Sequence, residues 1–211
     1  LAVQHYKDAV DHEFFFHAMR TGELVVPGKD AIFDKEIKNT ADFWSINLYT
    51  REMVDARKAN FSSKRYPFTE TRMLPMHFYL DEFFPECMIH NLTRLMDKPV
   101  YITENGCSCD NDDFRIVYLT EYLCALSEAI KAGVDVRGYL YWSLLDNYEW
   151  WTFIPRFGLV SVDKENNFKR IPKPSAYFYR EIIENNGFKP EMLKKYLKEM
   201  PRVDGSLPIL L

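Results

Sequence analysis

From residue 85 onward the apolar pattern of this chain switches repeatedly between the period of a helix and the run of a buried strand. That alternation restricts the fold more than any other feature. Pro85 to Met96 reads as a helix broken before Pro99, and Val100 to Thr103 as a strand. Ile116, Leu119, Leu123, Leu126 and Ile130 then recur at spacings of three and four. They mark one face of a helix that Asp110 to Asp113 can cap and Gly133 ends. Val136 to Leu145 follows as a strand and Ser175 to Asn186 as a helix. Upstream, Tyr6 to Met19 reads as a helix stopped by Thr21-Gly22, and Phe43 to Thr50 as a buried strand rich in aromatics. Helix and strand in strict turn define an α/β fold with a parallel sheet and crossover helices. Residues 51–80, with Pro67 and Pro75, show no period and read as a long loop. Pro201, Gly205 and Pro208 argue against a regular element between Met200 and Leu211.

In such sheets chemistry gathers at the C-terminal ends of the strands. Tyr49, Glu104 and the run from Asp146 to Trp150 all fall there. Tyr101-Ile102-Thr103-Glu104-Asn105-Gly106 is a strand that delivers a carboxylate and then breaks at Asn-Gly. Trp142-Ser143-Leu144-Leu145-Asp146-Asn147-Tyr148-Glu149-Trp150 offers a second acid among aromatics. The chain holds 16 Phe, 13 Tyr and 4 Trp, enough to supply faces for sugar rings as well as a core. An acid at a strand end beside an acid-and-aromatic cluster suggests sugar chemistry, which requires two catalytic carboxyl groups.

Other classes are excluded. The net charge is −4 and Lys and Arg are scattered, so no basic face suits a nucleic acid. No apolar run reaches the ~18 residues of a membrane span. The first residues lack the charged and apolar regions of a secretory signal, which points to the cytoplasm. Cys87, Cys107, Cys109 and Cys124 form no disulfide pattern and read as free thiols of a reducing compartment. Cys107 and Cys109 are at most half a metal site, with no second pair at zinc spacing. His12 and His17 sit five apart, off the spacing that puts two ligands on one helical face. No metal and no cofactor is expected.

Five blocks, in order, resemble the C-terminal portion of a family-one glycoside hydrolase of the β-glucosidase type, a (β/α)8 TIM barrel. They are Asp42 to Thr50, Ile102 to Gly106, Val134 to Tyr139, Trp142 to Trp150, and Arg156 to Leu159 with Val162-Asp163 and Pro172 to Ala176. The resemblance makes residues 1–186 the C-terminal part of the barrel, about strands six to eight with their helices, and 187–211 an extension. It implies that Glu104 is the nucleophile of a retaining β-glycosidase and that Tyr49 orients it. Glu149 would hold sugar hydroxyls, Trp142 and Trp150 would surround the glycone, Asn47 would be a pocket residue, and Phe157 would close the wall. Arg115, Arg137, Asp146 and Arg156 read as architectural, and Trp151 as core or rim. A carboxylate at Glu149 would repel phosphate, so the implied substrate is a non-phosphorylated β-glycoside.

The chain departs from the family pattern in one major respect. The family's acid/base carboxyl lies in an Asn-Glu-Pro sequence on the fourth strand, and no Asn-Glu-Pro occurs here. Three strands cannot close a barrel. The expectation is therefore a hydrolase inactive as this chain alone, completed by a complementary N-terminal barrel segment in the same or another chain. A sugar-binding pseudoenzyme, a myrosinase-like thioglucosidase and a partial-barrel assembly subunit would read alike from these residues. Smaller departures are Leu48 where an aromatic is common, Tyr122 in place of a frequent His, and a short loop between Trp150 and Arg156.

Overall fold

The computed structural model describes residues 2–51, 53–54, 57, 62–63, 82–203 and 207–208. Most of the long loop read over 51–80 lies outside the described residues. The chain divides into two compact units, Leu1–Trp44 with Glu52–Lys64, and Ser45–Arg51 with Arg65–Leu211.

The first unit opens with helix α1 (Ala2–Asp8), a π-helical turn at Ala9–Glu13 and helix α2 (Phe14–Thr21). The expected glycine stop is present. Gly22 adopts φ +83°, and its N–H donates to the Ala18 carbonyl at 2.7 Å. Phe16 packs edge-on against Trp44, with ring centroids 5.2 Å apart. A short antiparallel pair follows, β1 (Glu23–Leu24) with β2 (Ile32–Phe33). Strand β3 (Trp44–Asn47) begins at the last residue of this stretch. A second antiparallel pair, β4 (Met53–Val54) with β5 (Ser62–Ser63), also belongs to the first unit.

The second unit is built on a three-stranded sheet. Helix α3 (Cys87–Leu92) continues into a 3-10 turn at Thr93–Leu95, which matches the helix read before Pro99. Strand β6 (Val100–Asn105) is central, with β3 on one side and β7 (Val136–Tyr141) on the other. β6 and β7 run parallel, with Val100 opposite Val136 and Asn105 opposite Tyr141. Between them lies helix α4 (Asp112–Lys131), the crossover that a parallel pair needs. Its cap is Asn111, whose side chain accepts the Asp113 N–H, within the acidic stretch read as capping.

Helix α4 is buried nearly all round. Ile116, Val117, Leu119 and Ala129 are wholly enclosed, while Ile130, at the end of the apolar stripe, is exposed. Burying a side chain such as Leu119 contributes roughly 1.5–3 kcal/mol. Ile116 and Leu119 join Tyr141, Leu159, Phe178, Ile182 and Leu193 in one core cluster.

The rest of the chain covers this core. Strand β8 (Val160–Asp163) and β9 (Lys169–Pro172) make an antiparallel hairpin with no counterpart in the sequence reading. Helix α5 (Pro174–Asn185) ends on Asn186 in the left-handed region, as expected near that position. Helix α6 (Pro190–Tyr196) brings Leu193 into the core, so the chain beyond 186 contributes packing. The tail differs from its reading as well, because β10 (Arg202–Val203) and β11 (Leu207–Pro208) pair antiparallel.

Candidate active site

The third strand was expected to run to Leu145, but β7 stops at Tyr141. After it the Trp142–Ser143 peptide is cis, and the chain leaves the sheet toward the aromatic run. β6, by contrast, runs one residue past Glu104. The strand, read to Thr103, thus extends to Asn105 and breaks at the Asn105-Gly106 step, where the sequence places the break.

Three strand ends converge on Glu104. The Leu48 N–H donates to the Glu104 carbonyl at 2.9 Å, which sets the residue after it beside the carboxylate. The Tyr49 hydroxyl then donates to Glu104 Oε2 at 2.8 Å. Tyr49 is itself clamped. Its carbonyl accepts hydrogen bonds from Tyr118 at 3.3 Å and from Tyr122, two buried tyrosines on α4 whose rings stack 4.1 Å apart. Burial pushes both phenols well above their usual range, so they stay neutral donors. On the far side of Tyr49, Arg51 holds buried Glu82 through two hydrogen bonds of 2.8 Å and lies over the Phe84 ring.

Asn105 is the residue that the sequence reading missed. It is fully buried, its Nδ2 donates to the Leu48 carbonyl at 2.7 Å and to Tyr118 at 3.0 Å, and its Oδ1 accepts from Tyr139 at 2.6 Å. One amide thus ties the chain just after β3, the first half of α4 and the middle of β7 to the strand that carries Glu104. The signal was a polar residue following a buried run, but Asn before Gly reads as a turn.

The second acid is close by. Glu149 is 7 % exposed, and Oε1 accepts the Trp142 indole N–H at 2.9 Å. Burial, reinforced by the nearby Glu104 charge, raises its carboxyl above the usual value, against the hydrogen bonds from Trp142 and Asn147. Thr103 donates to Asn47 Oδ1 at 2.8 Å, on an exposed part of the strand ends, and Phe157 is buried.

Glu149 opens a tight reversal. Its N–H and carbonyl pair with those of Thr152 at 2.8 and 3.1 Å, leaving Trp150 and Trp151 as the two central residues with φ +40° and +78°. Both indoles project outward, 75 % and 86 % exposed. Trp151, read as core or rim, is exposed in this chain. Left-handed backbone at a bulky residue costs roughly 1–3 kcal/mol and is held only where the surroundings impose it.

Beneath the site, residues read as architectural do brace loops. Asp146 accepts the Gly158 N–H at 2.9 Å and contacts Lys173 at 3.4 Å and Arg156 at 3.8 Å. Arg115 is fully buried, bonded to Asp112 at 2.6 Å, to the Cys109 carbonyl at 2.9 Å and to the Arg156 carbonyl. Asp112 also receives the Ser175 N–H and hydroxyl at 2.7 and 2.8 Å, which fixes the start of α5. Arg137 pairs with exposed Asp135. Among the described residues no three His, Cys, Asp or Glu gather as a metal site, and no helix is long and apolar enough to cross a membrane.

The model of "Glycosyl hydrolase family 1" matches residues 16–188. A β-galactosidase of Saccharolobus solfataricus is 36% identical over 202 residues, covering 90% of this chain and 40% of the relative. Human lactase/phlorizin hydrolase is 46% identical over 175 residues, 73% of this chain and 9% of that protein. The β-glycosidase of Pyrococcus horikoshii superposes with a TM-score of 0.78 at 32% identity, covering 94% of this chain and 47% of that one. The fold is part of a (β/α)8 barrel, of which this chain supplies about strands six to eight. The chain belongs to glycosyl hydrolase family 1. It spans about 40% of the length of the first curated relatives it matches.

Proposed function

We propose that this chain carries the nucleophile side of a retaining β-glycosidase acting on non-phosphorylated β-glycosides. The observation that carries the reading is the hydrogen bond from Tyr49 to Glu104 at the strand ends, with Glu149 held by Trp142 beside it. Glu104 attacks the anomeric carbon and forms a glycosyl-enzyme, which water then hydrolyses. The phenol of Tyr49 fixes which oxygen of Glu104 is free to attack. Glu149 accepts hydrogen bonds from sugar hydroxyls, and Trp142, Trp150, Asn47 and Phe157 shape the glycone pocket.

The acid that protonates the leaving oxygen must sit about 5–5.5 Å from the nucleophile. It comes from a complementary barrel segment, in the same or another chain. Exposed apolar side chains on the sheet and its loops, among them Leu140 and Leu144, are consistent with a surface that such a segment covers. Glu149 is an acid where a phosphorylated sugar would need a cationic partner, which favours neutral glycones.

The test is to co-produce the chain with a family-one segment bearing the first five strands and to assay aryl β-glucosides and their 6-phosphates. Hydrolysis of the neutral glucoside by the complex alone is expected. Turnover by this chain unaided, or preference for the phosphorylated sugar, contradicts the reading.

A further inference from the structure

Cys107 and Cys109 have no part in the proposed reaction, yet they are built into the loop that leaves the nucleophile strand. Their sulfurs lie 3.8 Å apart and both residues are 1 % exposed. Cys-Ser-Cys is laced to the chain around Phe157. The Cys109 N–H donates to the Arg156 carbonyl at 3.3 Å, and the Arg156 N–H donates to Ser108 Oγ at 3.0 Å. Arg115 grips the Cys109 and Arg156 carbonyls together. The other two thiols are differently placed: Cys87 is buried on α3 and Cys124 is exposed on α4.

We propose that Cys107 and Cys109 are a reversible oxidation site, closing to an intramolecular disulfide when met by a low-molecular-weight disulfide, and that closure resets the Arg156–Phe157 segment. A disulfide needs sulfurs about 2.05 Å apart, so closing the pair requires a relative movement of about 1.8 Å. Cys109 is the attacking sulfur. The hydrogen bond from Cys107, aided by the Arg115 charge, holds its thiol below the usual range, while burial keeps Cys107 protonated. The Cys109 thiolate attacks the oxidant, releasing one thiolate and leaving a mixed disulfide. Cys107 then loses its proton and displaces the second thiol. Two S–H bonds and the oxidant's S–S bond are exchanged for the protein disulfide and two small thiols. Because the sulfurs are enclosed, exchange proceeds through openings of the segment.

The experiment equilibrates the Cys124→Ser chain in a glutathione buffer of rising oxidised fraction, quenches with acid, alkylates after unfolding and maps the peptides. The peptide spanning residues 107–109 is expected to lose both alkylation sites and two hydrogen masses, to regain them with dithiothreitol, and to leave Cys87 fully alkylatable. Hydrogen exchange at the Arg156 amide should change on oxidation, and the Cys109→Ser variant, which lacks the attacking sulfur, should show no change under the same buffer. Full alkylation of both cysteines at every redox setting overturns the proposal. So does a product in which each carries its own glutathione. Oxidation without any change at Arg156 overturns the coupling to the Phe157 segment.

Discussion

Tyr49 and Glu104 stand 55 positions apart in sequence, and the Tyr49 hydroxyl donates to Glu104 Oε2 at 2.8 Å. The contact exists because β3 and β6 are neighbours in the sheet and the Leu48 N–H closes onto the Glu104 carbonyl. A hydrogen bond to a charged group is worth roughly 1.5–3 kcal/mol. Tyr49→Phe in the completed barrel should therefore lower kcat/KM by about ten- to a hundredfold, since each ~1.4 kcal/mol is tenfold. Steady-state kinetics with an unchanged circular dichroism spectrum would show it. Unaltered turnover would reduce Tyr49 to packing.

Tyr122 acts on the same oxygen network from behind. Its hydroxyl donates to the Tyr49 carbonyl and accepts the Phe84 N–H at 3.3 Å. Tyr122→Phe should cost about 1 kcal/mol of stability, read by urea denaturation, because the Phe84 N–H loses its acceptor while the Tyr49 carbonyl keeps the longer bond from Tyr118. The accompanying loss of turnover should be smaller than for Tyr49→Phe.

The Asn105 amide serves three partners, none of them replaceable by water at full burial. Asn105→Ala should destabilise the chain by about 3 kcal/mol. The urea midpoint should fall accordingly, and a loss below about 1 kcal/mol would mean that the partners find each other without it.

Gly106 is where β6 passes the chain leaving β7. A Cβ there would overlap the Trp142 carbonyl oxygen and lie 2.9 Å from its carbon. Gly106→Ala should cost about 3 kcal/mol by overpacking against backbone, and equal thermal stability of the two proteins would refute the close approach.

Glu149 gives a pH test. In the unfolded chain its carboxyl titrates near 4.5, and in the folded chain it titrates above that. Over that window the native state holds the extra proton, so stability falls as pH rises, and the penalty is complete above the folded value. Glu149→Gln keeps an acceptor for Trp142 and removes the charge. It should raise the urea midpoint at neutral pH, with the gain fading as pH drops toward 4.5. A gain independent of pH would contradict the burial of the charge.

Much of this was legible in the residues. The helix over Asp112–Lys131, the glycine-terminated helix α2 and the strand bearing Glu104 follow from periodicity and capping. What escaped depended on partners far along the chain. The β8–β9 hairpin is two short runs whose outer strand is exposed throughout, so it carries no alternation to read. Helix α6 spans only seven residues, too few for a periodic signal, and Leu193 earns its place by docking on α4 and α5. Asn105 and Arg115 owe their roles to carbonyls 57 and 41 positions away. Strand pairing fixes those distances, and local composition does not.

Glu104 as nucleophile is tested by treating the completed barrel with a 2-deoxy-2-fluoro-glucoside bearing a good leaving group and locating the trapped sugar by peptide mass spectrometry. One covalent label on Glu104 is expected, lost when Glu104 is replaced by Gln. A label on Glu149 or on any other carboxylate would contradict it.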